Sequence, residues 1–406
     1  MKKASQVALG IVTGIGGFLE IGTTATSAEA GASFRFSLIW ALVLGTICLI
    51  FLIEMTGRHA AISKHSLAGA VRERFGFPFS VVPRLAELIV NLMLLAAEIG
   101  GVAFAIKLLT GVSIQILAIP IALVAWLLIW LGTLDIIEDS TAGLGMLAIA
   151  FLVAAFKLHP PVAEVARGFV PSLPHHDAAH YWFLVISIIG ANVSPYMFYF
   201  YSSGAIEEKW DEKSLGMNRV TAIVGMGFGA LIAMVVIICS AMVFEPRGIQ
   251  IDSYEQIAFV LVPALGKWGV PLFAVILGVC CFGAAAEIDL SSAYELAQTL
   301  GWNWGEDKKP ANREARFALT YSVMIFAAGI IMVTGIDPLK LTMLTMGLTA
   351  VVLPLAIIPF IIIMNDEHYL GEHTNGPIGN TVIVVTIVLT AIIAVVTIPL
   401  EIMGGG

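Results

Sequence analysis

The chain alternates between long apolar stretches and short polar loops, and the apolar stretches are continuous. About 20 apolar residues span a bilayer as an α-helix, whereas a transmembrane β-barrel would show strand-type alternation of apolar and polar residues. The sequence therefore predicts an all-α membrane protein. Its eleven predicted spanning segments cover residues 7–29, 36–55, 85–109, 113–132, 141–158, 181–204, 218–244, 270–292, 315–335, 341–364 and 380–401.

Composition supports this fold class and excludes several functions. Hydrophobic residues make up 59% of the 406 residues and charged residues only 12%, with a mean hydropathy of +0.94. A soluble domain carries about 25% charged residues, so a water-soluble enzyme is excluded. A net charge of −8 without a long basic run argues against a nucleic-acid partner. The chain also lacks a phosphate-binding glycine loop, a nucleophile elbow and a zinc-protease motif, so we expect no enzyme and no cofactor.

The lysines and arginines predict the orientation in the membrane. With the N-terminus inside, fourteen of the 21 basic residues fall on the cytoplasmic side and seven on the outer side. The inner set is Lys2, Lys3, Arg58, Lys64, Arg72, Arg74, Arg84, Lys209, Lys213, Arg219, Lys308, Lys309, Arg313 and Arg316. We therefore expect a multi-pass protein of a cell membrane, such as a bacterial inner membrane, with a cytoplasmic N-terminus and an outer C-terminus.

Two of the predicted segments contain features that interrupt a helix. Segment one is rich in glycine and has Glu20 in its middle, followed by the hydroxyl groups of Thr23 and its neighbours. Segment six contains Asn192, Ser194 and Pro195 in mid-segment. Glycine is costly inside a helix, proline removes a backbone donor, and a carboxylate at mid-membrane costs about 2.5–3.5 kcal/mol or more. Both segments are therefore predicted to be broken at matching depth.

Breaks five helices apart are typical of transporters built from two inverted five-helix repeats of the LeuT type. In such proteins the substrate lies between the two unwound helices, where freed carbonyl groups need partners such as a bound cation. The sequence thus predicts one transmembrane domain over residues 1–406. Repeat one covers about 7–158, repeat two about 181–364, and one extra helix about 380–401. Ordinary kinks filled by neighbouring side chains are the alternative.

Several stretches of this sequence resemble the Nramp family of divalent-metal transporters, and the similarity covers nearly the whole chain. The most specific stretches are residues 30–34 (Ala-Gly-Ala-Ser-Phe), 72–75 (Arg-Glu-Arg-Phe), 97–100 (Ala-Glu-Ile-Gly) and 353–359, which begins Leu-Pro. The resemblance implies the inverted-repeat fold, transport of a divalent metal cation by alternating access, and coupling to protons.

The motifs that bind the metal in that family differ here. The family's Asp-Pro-Gly-Asn corresponds to residues 20–23, which read Glu-Ile-Gly-Thr, and its Met-Pro-His to residues 194–196, which read Ser-Pro-Tyr. A family aspartate on segment three matches Leu95, although the family glutamate remains as Glu98, and a family glutamine on segment ten matches Val352.

The resemblance implies a site at these matching positions. We expect Glu20, Thr23 and Ser194 to bind the metal, and Asn192 and Tyr196 to line the site with them. Replacing a thioether with the hydroxyl of Ser194 favours hard ions that prefer oxygen ligands, such as Mg²⁺ or Mn²⁺. The expected partners are therefore a divalent cation and the lipid bilayer. The sequence leaves the oligomeric state open, with a monomer as the working expectation.

Proton coupling and the acids of segment eight leave alternatives open. Glu98 and Glu20 are candidates for carrying a proton, but Tyr196 stands where the family has a titratable histidine, so uncoupled transport is an alternative. Glu287 and Asp289 on segment eight either line a cytoplasmic exit for cations or pair with basic residues near position 310.

Two other functions stay open at this point. The bulky aromatic residues that begin with Tyr196 could form the wall of a pocket for a small organic solute or a different ion. The chain could also be a membrane sensor that does not transport, as in the membrane part of plant ethylene signalling proteins, which the fold resembles. The 406 residues contain no appended soluble output domain, which argues against the sensor.

Overall fold

A computed structural model describes residues 20–131, 146–174, 176–305 and 314–402. Within these ranges the chain is helical and has no β-strand, and seven segments are long and apolar enough to cross a membrane. The predicted all-α fold class is therefore confirmed.

The α-helices of the described residues are numbered in chain order. They are α1 (Ile21–Phe34), α2 (Ile39–Ser63), α3 (Leu67–Phe75), α4 (Phe77–Thr110), α5 (Ile114–Trp130), α6 (Ile149–Leu158), α7 (Val162–Arg167), α8 (Ala178–Asn192), α9 (Pro195–Glu207), α10 (Leu215–Val243), α11 (Tyr254–Ile257), α12 (Val262–Leu265), α13 (Gly269–Leu300), α14 (Ala315–Val333), α15 (Pro338–Ile363), α16 (Glu367–Leu370) and α17 (Pro377–Ile402). The first parts of predicted segments one and five, and the basic residues 308, 309 and 313, lie outside the described ranges.

Some helices extend well beyond their apolar stretches. α2 continues for eight residues past the predicted end of segment two, and α4 begins eight residues before the predicted start of segment three, at Phe77. Gly76, with φ +83°, and Pro78 at the first turn set that start. Arg84, one residue before the predicted start of segment three, therefore lies inside α4 with 2% of its surface exposed. Hydropathy locates the membrane-spanning part of a helix but not its polar extension.

The connections gather alternately at two ends of the molecule. At one end Arg74, after segment two, pairs with Asp366, after segment ten, at 3.0 Å. At the other end Arg35, after segment one, pairs with Glu164, after segment five, at 2.9 Å. Each pair joins two connections that a chain crossing the membrane with every predicted segment would bring to the same side. Which of the two ends faces the cytoplasm stays a prediction.

Small residues allow the central helices to approach closely. α1 packs along α10, where a β-carbon added at Gly31 would stand 2.8 Å from the β-carbon of Ser240. α4 packs along α13, where a β-carbon at Gly101 would stand 2.7 Å from the sulfur of Cys281. In a bilayer such close contact replaces the hydrophobic effect as a source of helix association. All four cysteines are buried and unbridged.

Candidate functional site

The predicted break in segment six separates α8 from α9. α8 ends at Asn192, Ser194 is extended with φ −80° and ψ 129°, and α9 begins at Pro195. Proline disfavours a helical conformation of the residue before it and has no N–H to donate. The sequence therefore produces the interruption locally, and Tyr196 lies one residue beyond it.

The described part of segment one begins at the predicted interruption. Glu20 is extended, with φ −59° and ψ 165°, and α1 begins at Ile21. The N–H of Ile21 donates to the Glu98 carboxylate of α4, 3.2 Å from Oε1 and 3.4 Å from Oε2. A helix N-terminus has unsatisfied N–H groups and a partial positive charge, so a carboxylate from a neighbouring helix stabilises it. Glu98 therefore positions the end of α1.

The predicted interruption of segment one and the observed break in segment six meet at Glu20 and Tyr196. The hydroxyl of Tyr196 donates to Oε2 of Glu20 at 3.0 Å. Oε1 of Glu20 accepts no hydrogen bond from the described residues, although the side chain is 0% exposed. Buried polar atoms almost always have a hydrogen-bond partner. A bound cation would supply the partner that Oε1 of Glu20 lacks among the described residues. The structure thus brings three of the predicted residues together: Glu20, Tyr196 and, through Ile21, Glu98.

The remaining predicted residues lie around this contact. Thr23 is buried on the first turn of α1. The hydroxyl of Ser194 is 3.3 Å from the carbonyl oxygen of Ala191, in the last turn of α8. The amide of Asn192 lies against Gly45 of α2, 3.1 Å from the position of a β-carbon there, and has no hydrogen-bond partner among the described residues. Asn192 therefore packs towards α2, with no hydrogen bond to Glu20.

Side chains from other helices contact two carbonyl groups in the first turns of α1 and α9, where each carbonyl group also accepts the helical hydrogen bond. The hydroxyl of Tyr254, on α11, lies 3.2 Å from the carbonyl oxygen of Ile21. The hydroxyl of Ser291, on α13, donates to the carbonyl oxygen of Tyr196 at 2.9 Å. The carboxylate of Glu20, rather than these carbonyl groups, is therefore the group left without a full set of partners.

Sequence reasoning missed a thioether beside Glu20. A β-carbon at Gly22 would stand 3.0 Å from the sulfur of Met346, on α15, and 3.3 Å from Oε1 of Glu20. Met346 is 0% exposed. No motif marks this methionine in the sequence, and only the packing of α15 against α1 brings it to the site.

A second buried polar cluster lies further along α4 and α13. Arg84 pairs with Glu87 at 2.7 Å and with Glu295 at 3.3 Å, and its guanidinium also contacts Tyr199. The hydroxyl of Ser291, which contacts the break in segment six, also lies 2.9 Å from a carboxylate oxygen of Glu295. This cluster therefore connects α4, α9 and α13 on one side of the site.

The site itself is enclosed and acidic. The carboxylates of Glu98 and Glu287 interact electrostatically with that of Glu20. Among the described residues, no lysine, arginine or histidine forms an ion pair with Glu20 or Glu98. A cavity of about 610 Å³ opens at the Arg74 end of the molecule, but its lining includes Glu54, Arg58 and Arg219 and none of the site residues.

Comparison with known proteins identifies the fold. A crystal structure of a variant of the Eremococcus coleocola manganese transporter matches with a TM-score of 0.75 at 17% identity, covering 97% of this chain and 86% of that one. Mhp1, a transporter of the nucleobase-cation-symport-1 family, matches with a TM-score of 0.59 at 14% identity, covering 99% of this chain and 90% of that one. The chain thus has the predicted LeuT-type fold of inverted repeats.

Sequence comparison gives the family. The divalent metal cation transporter MntH of Deinococcus radiodurans is 25% identical over 367 residues, which is 87% of this chain and 80% of that protein. MntH of Caldanaerobacter subterraneus is 23% identical over 377 residues, or 89% and 85%. The model of the family "Natural resistance-associated macrophage protein-like" matches residues 10–399. Because that match spans nearly the whole chain and the described fold agrees with it, this protein belongs to the Nramp family.

Proposed function

We propose that this protein is a secondary transporter that moves a divalent metal cation across the membrane by alternating access. The observation that carries the proposal is the buried Oε1 of Glu20, which lacks a partner where the interrupted segments one and six meet. The sequence relatives are named divalent metal cation transporters, and the structural relative is named a manganese transporter. A metal cation is the partner that a buried carboxylate at such an interruption requires.

For the ion, we propose Mg²⁺ or Mn²⁺. Glu20, Thr23 and Ser194 supply a carboxylate and two hydroxyl groups, which are oxygen donors suited to hard cations. Mg²⁺ gives up its water reluctantly, so a site with few protein ligands suits an ion that keeps part of its hydration shell. The thioether of Met346 adds a soft donor beside Glu20, and it favours Mn²⁺ over Mg²⁺.

Proton coupling forms a further part of the proposal. Glu98 holds the N-terminus of α1 through the N–H of Ile21, so a proton on this carboxyl group would weaken that contact. Glu98, with Glu20 as a second acceptor, would in this way link a proton to the position of segment one. Metal-driven acidification inside proteoliposomes measures the coupling, and uptake without acidification would refute it.

The proposal also covers the oligomeric state, the membrane and the orientation of the protein. We propose a monomer in the cytoplasmic membrane of a bacterium, with the N-terminus in the cytoplasm and the C-terminus outside. The two halves, about residues 7–158 and 181–364, would move relative to each other around the interruptions.

The substitution Glu20→Gln tests the site. It keeps the size of the side chain and one hydrogen-bond acceptor for Tyr196 but removes the charge that a cation needs. We expect at least a tenfold loss of Mn²⁺ affinity in isothermal titration, about 1.4 kcal/mol, and a matching loss of uptake into proteoliposomes. Unchanged affinity and uptake would mean that Glu20 is structural, and no metal binding by the unaltered protein would indicate a different cargo.

A second series tests the preference for hard ions. Ser194→Met should raise the ratio of Cd²⁺ to Mg²⁺ transport, because sulfur is more polarizable than a hydroxyl oxygen. Adding Thr23→Asn and Tyr196→His should raise the ratio further. A ratio that stays constant through the series would show that residue 194 does not contact the ion.

A further inference from the structure

Glu287 lies on α13, a helix outside the two interrupted segments, and it is 2% exposed. The sequence allowed it either to line an exit or to pair with basic residues in the connection that follows. That connection begins beyond Leu300, more than three helical turns away from Glu287. The described contacts of α13 lie at the site instead.

α13 contacts Glu98, which binds the start of α1, and it contacts Tyr196 at the start of α9. Glu287 lies between the two α13 residues that make these contacts. The thiol of Cys281 bonds to Glu98, which holds the start of α1, and Ser291 bonds to the carbonyl oxygen of Tyr196. Glu287 follows Cys281 by about 9 Å along the helix axis and precedes Ser291 by about 6 Å. Its position on α13 is therefore level with the junction of the two interrupted segments.

The charge of Glu287 acts on that junction. Its carboxylate interacts electrostatically with Glu20 and with Tyr196. Asp289 is equally buried, but it lies about 200° further around the helix and has no such interaction with either residue. Glu287 and Asp289, which are separated by one residue on α13, therefore lie near different groups.

An independent observation at the junction concerns the second oxygen of Glu20. Oε1 of Glu20 is fully buried and has no hydrogen-bond partner among the described residues. Two carboxylates that face each other in a low-dielectric interior repel strongly, and the desolvation of each adds to the cost. A divalent cation between them removes the repulsion and balances both charges.

We infer that Glu287 is a second carboxylate of the cation site, which holds the divalent ion together with Glu20. This inference rests on the proposed function and deepens it, since it makes α13 a third wall of the site. Two carboxylates match the charge of a divalent ion, and they favour it over a monovalent ion at the same place. Both donors are oxygen atoms, in agreement with a preference for Mg²⁺ and Mn²⁺.

The test compares Glu287→Gln with the matched control Asp289→Asn in the full-length protein. Isothermal titration in detergent with Mn²⁺, and separately with Mg²⁺, measures affinity, and uptake into proteoliposomes measures transport. We expect Glu287→Gln to lower the affinity for both ions at least tenfold and Asp289→Asn to change it less than twofold. Glu287→Asp, which keeps the charge on a shorter side chain, should recover part of the loss.

Each outcome has a defined meaning. If Glu287→Gln binds both ions with wild-type affinity while Glu20→Gln has lost affinity, this inference is overturned and the proposed function is left intact. Equal losses in Glu287→Gln and Asp289→Asn would also overturn it, because burial alone would then explain the effect. Absence of divalent-ion binding by the unaltered protein would refute the proposed function itself. A Glu287→Gln protein with an unchanged thermal midpoint in metal-free buffer shows that the loss arises at the site.

Discussion

The buried cluster around Arg84 offers a quantitative test of how the helices next to the site are held together. Its guanidinium is 2% exposed and forms ion pairs with Glu87 at 2.7 Å and Glu295 at 3.3 Å. It also lies over the ring of Tyr199, 3.9 Å from the centroid. The substitution Arg84→Met keeps the length of the side chain and removes the charge.

The expected cost follows from the burial of the partners. Glu87 and Glu295 are each 1% exposed, so the substitution leaves two carboxylates buried without their cation. Removing one partner of a buried ion pair costs about 3–5 kcal/mol, because the other charge stays desolvated. We therefore expect the free energy of unfolding to fall by about 3–5 kcal/mol. The triple variant Arg84→Met, Glu87→Met, Glu295→Met should regain most of this loss, since replacing a whole buried ionic cluster by hydrophobic residues of similar volume is often neutral.

Arg74→Met is the matched control at an exposed ion pair. Arg74 pairs with Asp366 at 3.0 Å, but its side chain is half exposed. Such pairs contribute about 0–1 kcal/mol, so this variant should be almost as stable as the parent. Denaturant unfolding in detergent, followed by tryptophan fluorescence, compares the four proteins. Equal and small losses in Arg84→Met and Arg74→Met, or no recovery in the triple variant, would refute the reasoning.

Two further predictions concern packing and ion choice. Gly31→Ala should lower the stability by about 1–3 kcal/mol, because its β-carbon would stand 2.8 Å from that of Ser240, whereas Gly227→Ala, with open space, should not destabilise the same unfolding transition. Met346→Leu should lower Cd²⁺ affinity in titration and leave Mg²⁺ affinity unchanged, because it removes only the thioether. The equally buried Met226→Leu is its control, and parallel losses of both ions would argue against a sulfur ligand.

The sequence alone determined the class of fold and the two interruptions. Long apolar stretches in a chain with few charges require helices in a bilayer, since no other open structure satisfies the backbone there. Pro195 and the carboxylate of Glu20 disturb their helices locally, so their effect follows from the residues themselves. The structure ends α8 at Asn192 and begins α9 at Pro195, which confirms the break in segment six. The interruption of segment one stays a prediction, because that segment is described only from Glu20 onward.

Tertiary structure alone decided which side chains from distant helices reach these interruptions. Met346 and Cys281 appear in the sequence as ordinary apolar residues, and Arg84 appears as a charge at the end of a span. Their roles depend on the rotation and depth of α4, α13 and α15 against α1, which helix packing sets. A periodic pattern records that a helix has a buried face, but not which neighbour covers it. For that reason the sequence located Glu20 and Tyr196, whereas the contacts of Glu287, Met346 and Arg84 emerged only from the packed helices.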